Sequence, residues 1–163
     1  MPNFQENLKH MIRRSAGAEF WRKITVTSSH IKTATKLALT TAATGDLGIT
    51  QVVVKTDATG LAGGTNFVIG STNAKGVANI AVETVANLGA NITKSYGNPP
   101  AGDTTTSDGG YTVTSLITVL EAGCNLWVNS TSADCTGVGT IDIYVKFERI
   151  AENADVFATG TSI

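Results

Sequence analysis

The sequence has few of the residues that covalent or metal chemistry uses. It contains two cysteines, two histidines and three prolines, and 15% of its residues are charged, against roughly 25% in an average soluble domain. Cys124 and Cys135 are too few for a disulfide scaffold or a zinc site, so we expect reduced, buried thiols. No stretch reaches the about 20 apolar residues of a membrane span, and the charged N-terminal segment does not resemble a secretion signal. We therefore expect synthesis in the cytoplasm and no membrane partner.

The charges that are present divide the chain into two parts. Residues 1–23 hold five basic and two acidic groups, a net charge of +3, and the remaining residues hold seven and eleven, a net charge of -4. A body with this negative balance is not built to bind nucleic acid, which needs a basic patch. A surface rich in threonine and alanine and poor in charge instead favours wide contacts between subunits.

Residues 1–23 are predicted to form an amphipathic helical arm. Asn3 and Glu6 have the spacing of a capping box, and Gly17 is placed to end the helix. Because a three-turn helix is marginal alone, it needs a surface to pack on. We favour a groove on a neighbouring subunit, and the alternative is the helix's own body. The residues predicted to contact a partner are Phe4, Leu8, Met11, Ile12, Arg13, Arg14, Trp21, Arg22 and Lys23.

From Arg22 onward the pattern has a period of two, which is typical of strands. It is clearest at the end of the chain, where Ile141, Ile143, Val145 and Phe147 alternate with polar residues. Residues 77–88 fit both a strand and a helix, and we predict a strand that runs into a short helical turn. Residues 98–110 hold two prolines and several glycines, which predicts an exposed loop.

About eight short strands between turn signals predict an all-β fold, an antiparallel, jelly-roll-like β-sandwich with an N-terminal helical arm. An immunoglobulin-like sandwich is the alternative. The predicted divisions are an arm at 1–23, a sandwich domain at 24–150 and a C-terminal tail at 151–163.

None of the candidate chemical motifs is complete. The glycine-rich residues 60–64 lack the ending of a phosphate-binding loop, so a turn is the better interpretation. Ser28, Ser29 and His30 have no spacing that requires a catalytic triad. Asp103 and Asp108 share a loop without the ligand spacing of a calcium site. The sequence thus predicts no catalytic, cofactor or metal site, and a protein that is not an enzyme.

Three segments of the last third resemble the carboxy-terminal part of small tailed-phage virion proteins. These are VLEAG at 119–123, CTGVGTIDIYV at 135–145 and FERI at 147–150, with a weaker likeness at 56–70. The resemblance implies a β-sandwich or jelly-roll subunit, often trimeric, that decorates or cements a capsid or belongs to a neck, tail or fibre. It implies no functional residues, because it concerns strand and turn positions.

The resulting hypothesis is a non-enzymatic capsid decoration or cement subunit, located in the virion after synthesis in the host cytoplasm. Its partners would be itself, as a homotrimer, and other virion proteins such as the major capsid protein. A tail, neck or fibre component is the alternative in the same class. A carbohydrate-binding or adhesin module, using the 98–110 loop with Tyr96 and Tyr111, is the alternative in another class.

Overall fold

The structure, a computed structural model, describes residues 16–73, 76–96 and 118–159. These residues form eleven strands and two short 3₁₀ turns, η1 and η2, and no α-helix. The strands are β1 Glu19–Thr27, β2 Leu37–Ala38, β3 Leu47–Thr56, β4 Ala62–Gly63, β5 Asn66–Asn73, β6 Gly76–Thr84, β7 Thr93–Tyr96, β8 Thr118–Leu120, β9 Leu126–Thr131, β10 Cys135–Thr136 and β11 Thr140–Arg149. η1 covers Ser28–His30 and η2 covers Val85–Leu88. The helix predicted for the arm lies mostly in residues 1–15, outside the described part.

The strands make two main antiparallel sheets. The first has the order β1-β11-β3-β7, with β8 also paired to β3, and the second has the order β2-β9-β5-β6. β3 is long enough to pair with β8 through its first half and with β7 through its second half. A small third sheet joins β4 to β10. The predicted all-β antiparallel sandwich is therefore confirmed.

The pairing of the strands is nested along the chain. β1 pairs with β11, β2 with β9, β3 with β7 and β8, and β5 with β6. The chain thus follows the path of one long hairpin whose successive strand pairs alternate between the two sheets. Most of the contacts that hold the fold together consequently join residues far apart in sequence.

The core lies between the two sheets, and β11 supplies its centre. Ile141, Ile143, Val145 and Phe147 are fully buried and belong to one apolar cluster with side chains of the second sheet, such as Phe67. Burying a side chain of this size contributes about 1.5–3 kcal/mol. The alternation seen in the sequence is therefore the alternation between core and surface.

Two of the predicted boundaries fall inside the sandwich. β1 begins at Glu19, so Trp21, Arg22 and Lys23 belong to the body and not to an arm, because β1 pairs along its whole length with β11. In the predicted tail, Ala154 and Val156 are buried in the core. Residues 77–88 behave as predicted, with β6 running directly into η2.

Candidate interaction surface

β1 lies at one edge of the first sheet, and its side chains alternate between two environments. Ile24 and Val26 are buried in the core, and the inward row continues through Arg22 and Phe20. Glu19, Trp21, Lys23 and Thr25 point to the outer face. Three predicted contact residues lie on this strand, with Trp21 and Lys23 on its outer face and Arg22 on its inner face. The other six, Phe4, Leu8, Met11, Ile12, Arg13 and Arg14, lie outside the described residues.

Arg22 is held within the body by the C-terminal segment. Its Nε donates to the carbonyl oxygen of Val156 at 2.9 Å, and its Nη2 lies 2.9 Å from Oδ1 of Asp155. Its guanidinium also lies 4.8 Å from the ring centre of Phe20 and 5.8 Å from that of Phe157, within range of a cation–π contact. Arg22 therefore fastens the tail to β1.

Arg149 extends this arrangement into the interior. It is 7% exposed, lies 4.1 Å from the ring centre of Phe20, and donates from Nε to the carbonyl oxygen of Ala154 at 2.9 Å. The Phe20 ring stacks on Phe147 with 5.3 Å between centroids. A buried arginine needs such partners because an unpaired buried charge is very costly.

The outer face of β1 carries paired charges on either side of an exposed tryptophan. Glu19 lies 2.7 Å from Nζ of Lys146, and Lys23 lies 2.9 Å from Asp142. The hydrogen bond with Asp142 raises the pKa of Lys23. Partial burial opposes ionisation of Asp142, but hydrogen bonds from Thr25 and Lys23 outweigh it, so the pKa of Asp142 is lowered.

Trp21 is the exposed large apolar side chain of β1. Among the described residues it is 46% exposed, and the other exposed large apolar side chains are Val138 at 82%, Ile150 at 49% and Phe157 at 58%. Trp21 lies on the outer row of β1, whereas Phe157 lies beside Arg22, which belongs to the inner row. An exposed tryptophan on an edge strand is a candidate contact residue, because aromatic side chains are enriched in interfaces and an edge strand can accept another strand.

Carboxylates and basic side chains lie together at the end of the sandwich where β1 begins. Glu19 pairs in register with Glu148 and forms an ion pair with Lys146, and Asp155 forms ion pairs with Arg22 and Arg149. The carbonyl of Asp46 accepts the backbone N–H of Ile150, and its Oδ1 accepts the N–H of Ala122.

The glycine-rich loop after β3 is a structural turn, as predicted. Oδ1 of Asp57 accepts the backbone N–H groups of Thr59 and Gly60, and its Oδ2 accepts both the N–H and the hydroxyl of Thr140. The backbone donors Gly60, Thr140 and Thr59 lower the pKa of Asp57 to about 2. The carboxylate thus ties the loop to the start of β11.

The serine and histidine considered for catalysis have separate environments. Ser28 is fully buried, and its hydroxyl donates to the carbonyl of Thr136 at 2.5 Å, whereas His30 is exposed. Both cysteines are free thiols; Cys135 is buried and Cys124 half-buried. Burial raises the pKa of Cys135, which disfavours a reactive thiolate.

Asp103 and Asp108, the calcium candidates, lie outside the described residues. Within them no group of three or more histidine, cysteine or acidic side chains is arranged to hold a metal ion. None of the described helical segments has the length and apolar character to cross a bilayer.

A buried carboxylate that the sequence did not point to joins the far edges of the sheets. Glu83 on β6 is 1% exposed; its Oε1 accepts from Thr84 N–H and Asn87 Nδ2, and its Oε2 accepts from the hydroxyl of Tyr96 on β7 at 3.2 Å. Burial, followed by the charge of Glu83, raises the pKa of Tyr96. The Tyr96 ring is thus buried and offers no surface for stacking a sugar; Tyr111 lies outside the described residues.

Comparisons with known proteins give little further information. No family model and no curated protein matches the chain. Among solved structures, a chain in the structure of infectious bursal disease virus, Gx strain, aligns with a TM-score of 0.21 and 12% identity. The alignment covers 83% of this chain and 38% of the viral chain. A likeness this weak carries no argument about function.

Proposed function

We propose that this chain is a non-enzymatic structural subunit of a phage virion, in the role of capsid decoration or cement. Its β body would associate with other copies, and its N-terminal segment would dock on another virion protein such as the major capsid protein. The observation that carries the proposal is the exposed Trp21 on the outer face of β1, an edge strand of the first sheet. Aromatic side chains are enriched in interfaces, and an edge strand presents backbone groups that another chain can bind.

The strand order supports a jelly roll as the finer description of the fold. The two main sheets have five and four strands, and the nested pairs alternate between the sheets. Because β7 and β8 pair with different halves of β3, they share one edge position, which leaves four positions in each sheet. A double-sheet jelly roll has eight strands and this antiparallel winding. It agrees with the fold implied by the likeness of the last third to tailed-phage virion proteins.

The predicted arm would supply the attachment to the shell. Phe4, Leu8, Met11 and Ile12 would occupy an apolar groove of the partner, in the helix-in-groove mode. Arg13 and Arg14 would face acidic partner surface. Trp21, Arg22 and Lys23, which belong to β1, would contribute only through the surface of the body.

A truncation at the start of the described body tests this attachment. Removing residues 1–15 leaves β1 complete, so we expect the β-sheet signal of the far-ultraviolet spectrum and the unfolding midpoint to be retained, with loss only of the helical signal of the arm. In a co-sedimentation assay with virion particles assembled without this chain, binding should be lost. Leu8→Asp should weaken binding, whereas His10→Asp, with the same charge change on the opposite helical face, should not. Full particle binding by the truncated chain would refute the proposal.

The position of the bound chain on the particle distinguishes the roles within this class. Labelled protein should cover the head surface if it is a decoration or cement subunit. Label confined to the tail, neck or fibres would instead support the alternative role.

A further inference from the structure

We propose that β1 pairs antiparallel with β1 of a second copy, centred on Trp21, so that the first sheets of two protomers become continuous. This contact rests on the self-association part of the proposed function. It is related by a two-fold axis, so it predicts an even number of copies and departs from the trimer implied by the resemblance.

The backbone of β1 is suited to such pairing. The strand has nine residues, and its described partner, β11, lies on one side. The N–H of Arg149 donates to the carbonyl of Ala18, and hydrogen-bonded pairs alternate in an antiparallel ladder. The backbone groups of Glu19, Trp21 and Lys23 therefore face away from β11, where an added strand would bind them. The carbonyl of Trp21 accepts a long hydrogen bond, 3.5 Å, from Nη1 of Arg22, and a carbonyl oxygen has a second lone pair for another donor.

The neighbouring edge of the second sheet, at β2, is covered by the C-terminal segment of the same chain. Beside β2, residues 155–159 pair with 39–44, through hydrogen bonds such as Thr41 N–H to the carbonyl of Phe157. An inward-pointing charge often protects an edge strand, but Arg22 is already paired with Asp155. The outward side chains Glu19, Trp21 and Lys23 are all exposed.

The charges of β1 favour one register for a two-fold pair, because only centring on Trp21 sets opposite charges of the two copies against each other. Centring on Lys23 sets Lys23 opposite its own copy, and centring on Arg22 does the same for Arg22. Like charges directly opposite are destabilising. Centring on Trp21 sets Glu19 opposite Lys23 of the second copy, twice in each dimer.

The inner row agrees with the same register. Centring on Trp21 sets Phe20 opposite Arg22 of the second copy, the two residue types that already stack within one protomer. On the outer row the two Trp21 rings, each 46% exposed in the single chain, come together and leave water. Paired aromatic side chains stabilise neighbouring strands.

Sedimentation equilibrium of the full chain tests the contact. We expect a species of twice 16.9 kDa. Lys23→Glu should raise the dimer dissociation constant about tenfold or more, because symmetry repeats the Glu–Glu opposition in each dimer. Adding Glu19→Lys to Lys23→Glu should restore association. Lys55→Glu, the same charge change on β3 of the same outer face, is the matched control and should not weaken the dimer.

Cross-linking tests the register. Trp21→Cys places the two introduced thiols on the two-fold axis, with about 5.5 Å between the Cα atoms, within the range of a disulfide. Mild oxidation should therefore give a covalent dimer. Thr25→Cys, opposite residue 17 in this register, should not cross-link to itself.

Two results would overturn the inference. One is a monomer at every concentration, and the other is an assembly whose mass and affinity do not respond to Lys23→Glu. Neither result would alter the particle-binding test of the 1–15 truncation, so failure of this contact and failure of the proposed attachment are distinguishable.

Discussion

Replacing Tyr96 by phenylalanine should destabilise the fold at the edges opposite β1. Tyr96 belongs to β7, the far edge of the first sheet, and Glu83 belongs to β6, an edge of the second. The substitution keeps the ring in place and removes the hydroxyl that donates to Oε2 of Glu83 at 3.2 Å. Because Glu83 is 1% exposed, water cannot readily replace that donor.

The expected loss of folding free energy follows from the cost of leaving a buried hydrogen-bond acceptor without a donor. A hydrogen bond to a charged group contributes about 1.5–3 kcal/mol, and a buried group left without its partner bears its full desolvation cost. We therefore expect Tyr96→Phe to lower the free energy of unfolding by about 2–3 kcal/mol. At about 2–4 °C per kcal/mol for a chain of this size, the unfolding midpoint should fall by roughly 4–12 °C.

Urea denaturation of a four-member double-mutant cycle, with one further control variant, measures this coupling. Tyr96→Phe is compared in the wild-type background and in Glu83→Gln, where the acceptor is neutral and the loss should shrink to about 1 kcal/mol. Tyr144→Phe, the same change at a half-exposed position, should stay within about 0.5 kcal/mol. The reasoning fails if Tyr96→Phe costs less than about 0.5 kcal/mol, or costs the same in both backgrounds.

Two further predictions concern the loop that Asp57 holds against β11. A Cβ at Gly139 would lie 1.8 Å from the carbonyl oxygen of Gly60, so Gly139→Ala should lower the thermal midpoint strongly, whereas Gly89→Ala, with open space around it, should not. Equal midpoints for the two variants would contradict this. The pKa of Asp57 is lowered from 3.8 to about 2, so its contribution to stability is present above the unfolded value and lost as the pH falls through about 2. Asp57→Asn should therefore flatten the acid limb of a plot of urea midpoint against pH, and an unchanged slope would exclude this role.

The elements predicted best were those whose sequence pattern is set by burial alone. The alternation in β11 required one face in a core, and Ile141, Ile143, Val145 and Phe147 are that face. The sequence predicts the same alternation only from Arg22 onward, whereas β1 begins at Glu19, and the charges of Arg22 and Lys23 led to their assignment to the arm. From sequence alone, an arginine on the inner row of a strand is predicted to be a surface residue, because the partners that satisfy its charge are not known.

Those partners come from distant parts of the chain. Asp155 and Phe157 reach Arg22 only because the segment after β11 turns back along β2. Likewise, the sequence around Glu83 shows a carboxylate in a strand and no signal that Tyr96 will cover it. Both arrangements arise from nested pairing, which no local pattern encodes.

The sequence by itself determined the all-β class, the core face of the last strand, the glycine-rich turn and the division of charge between the first 23 residues and the rest. These follow from period, turn chemistry and charge, which are properties of neighbouring residues. The tertiary structure decided which strand is an edge, which charges are paired and which apolar side chains stay exposed. Trp21 shows the difference. The sequence predicted it as a contact residue of the arm. The structure places it on β1, which among the described strands pairs with β11 on one side and so forms an edge of the sheet.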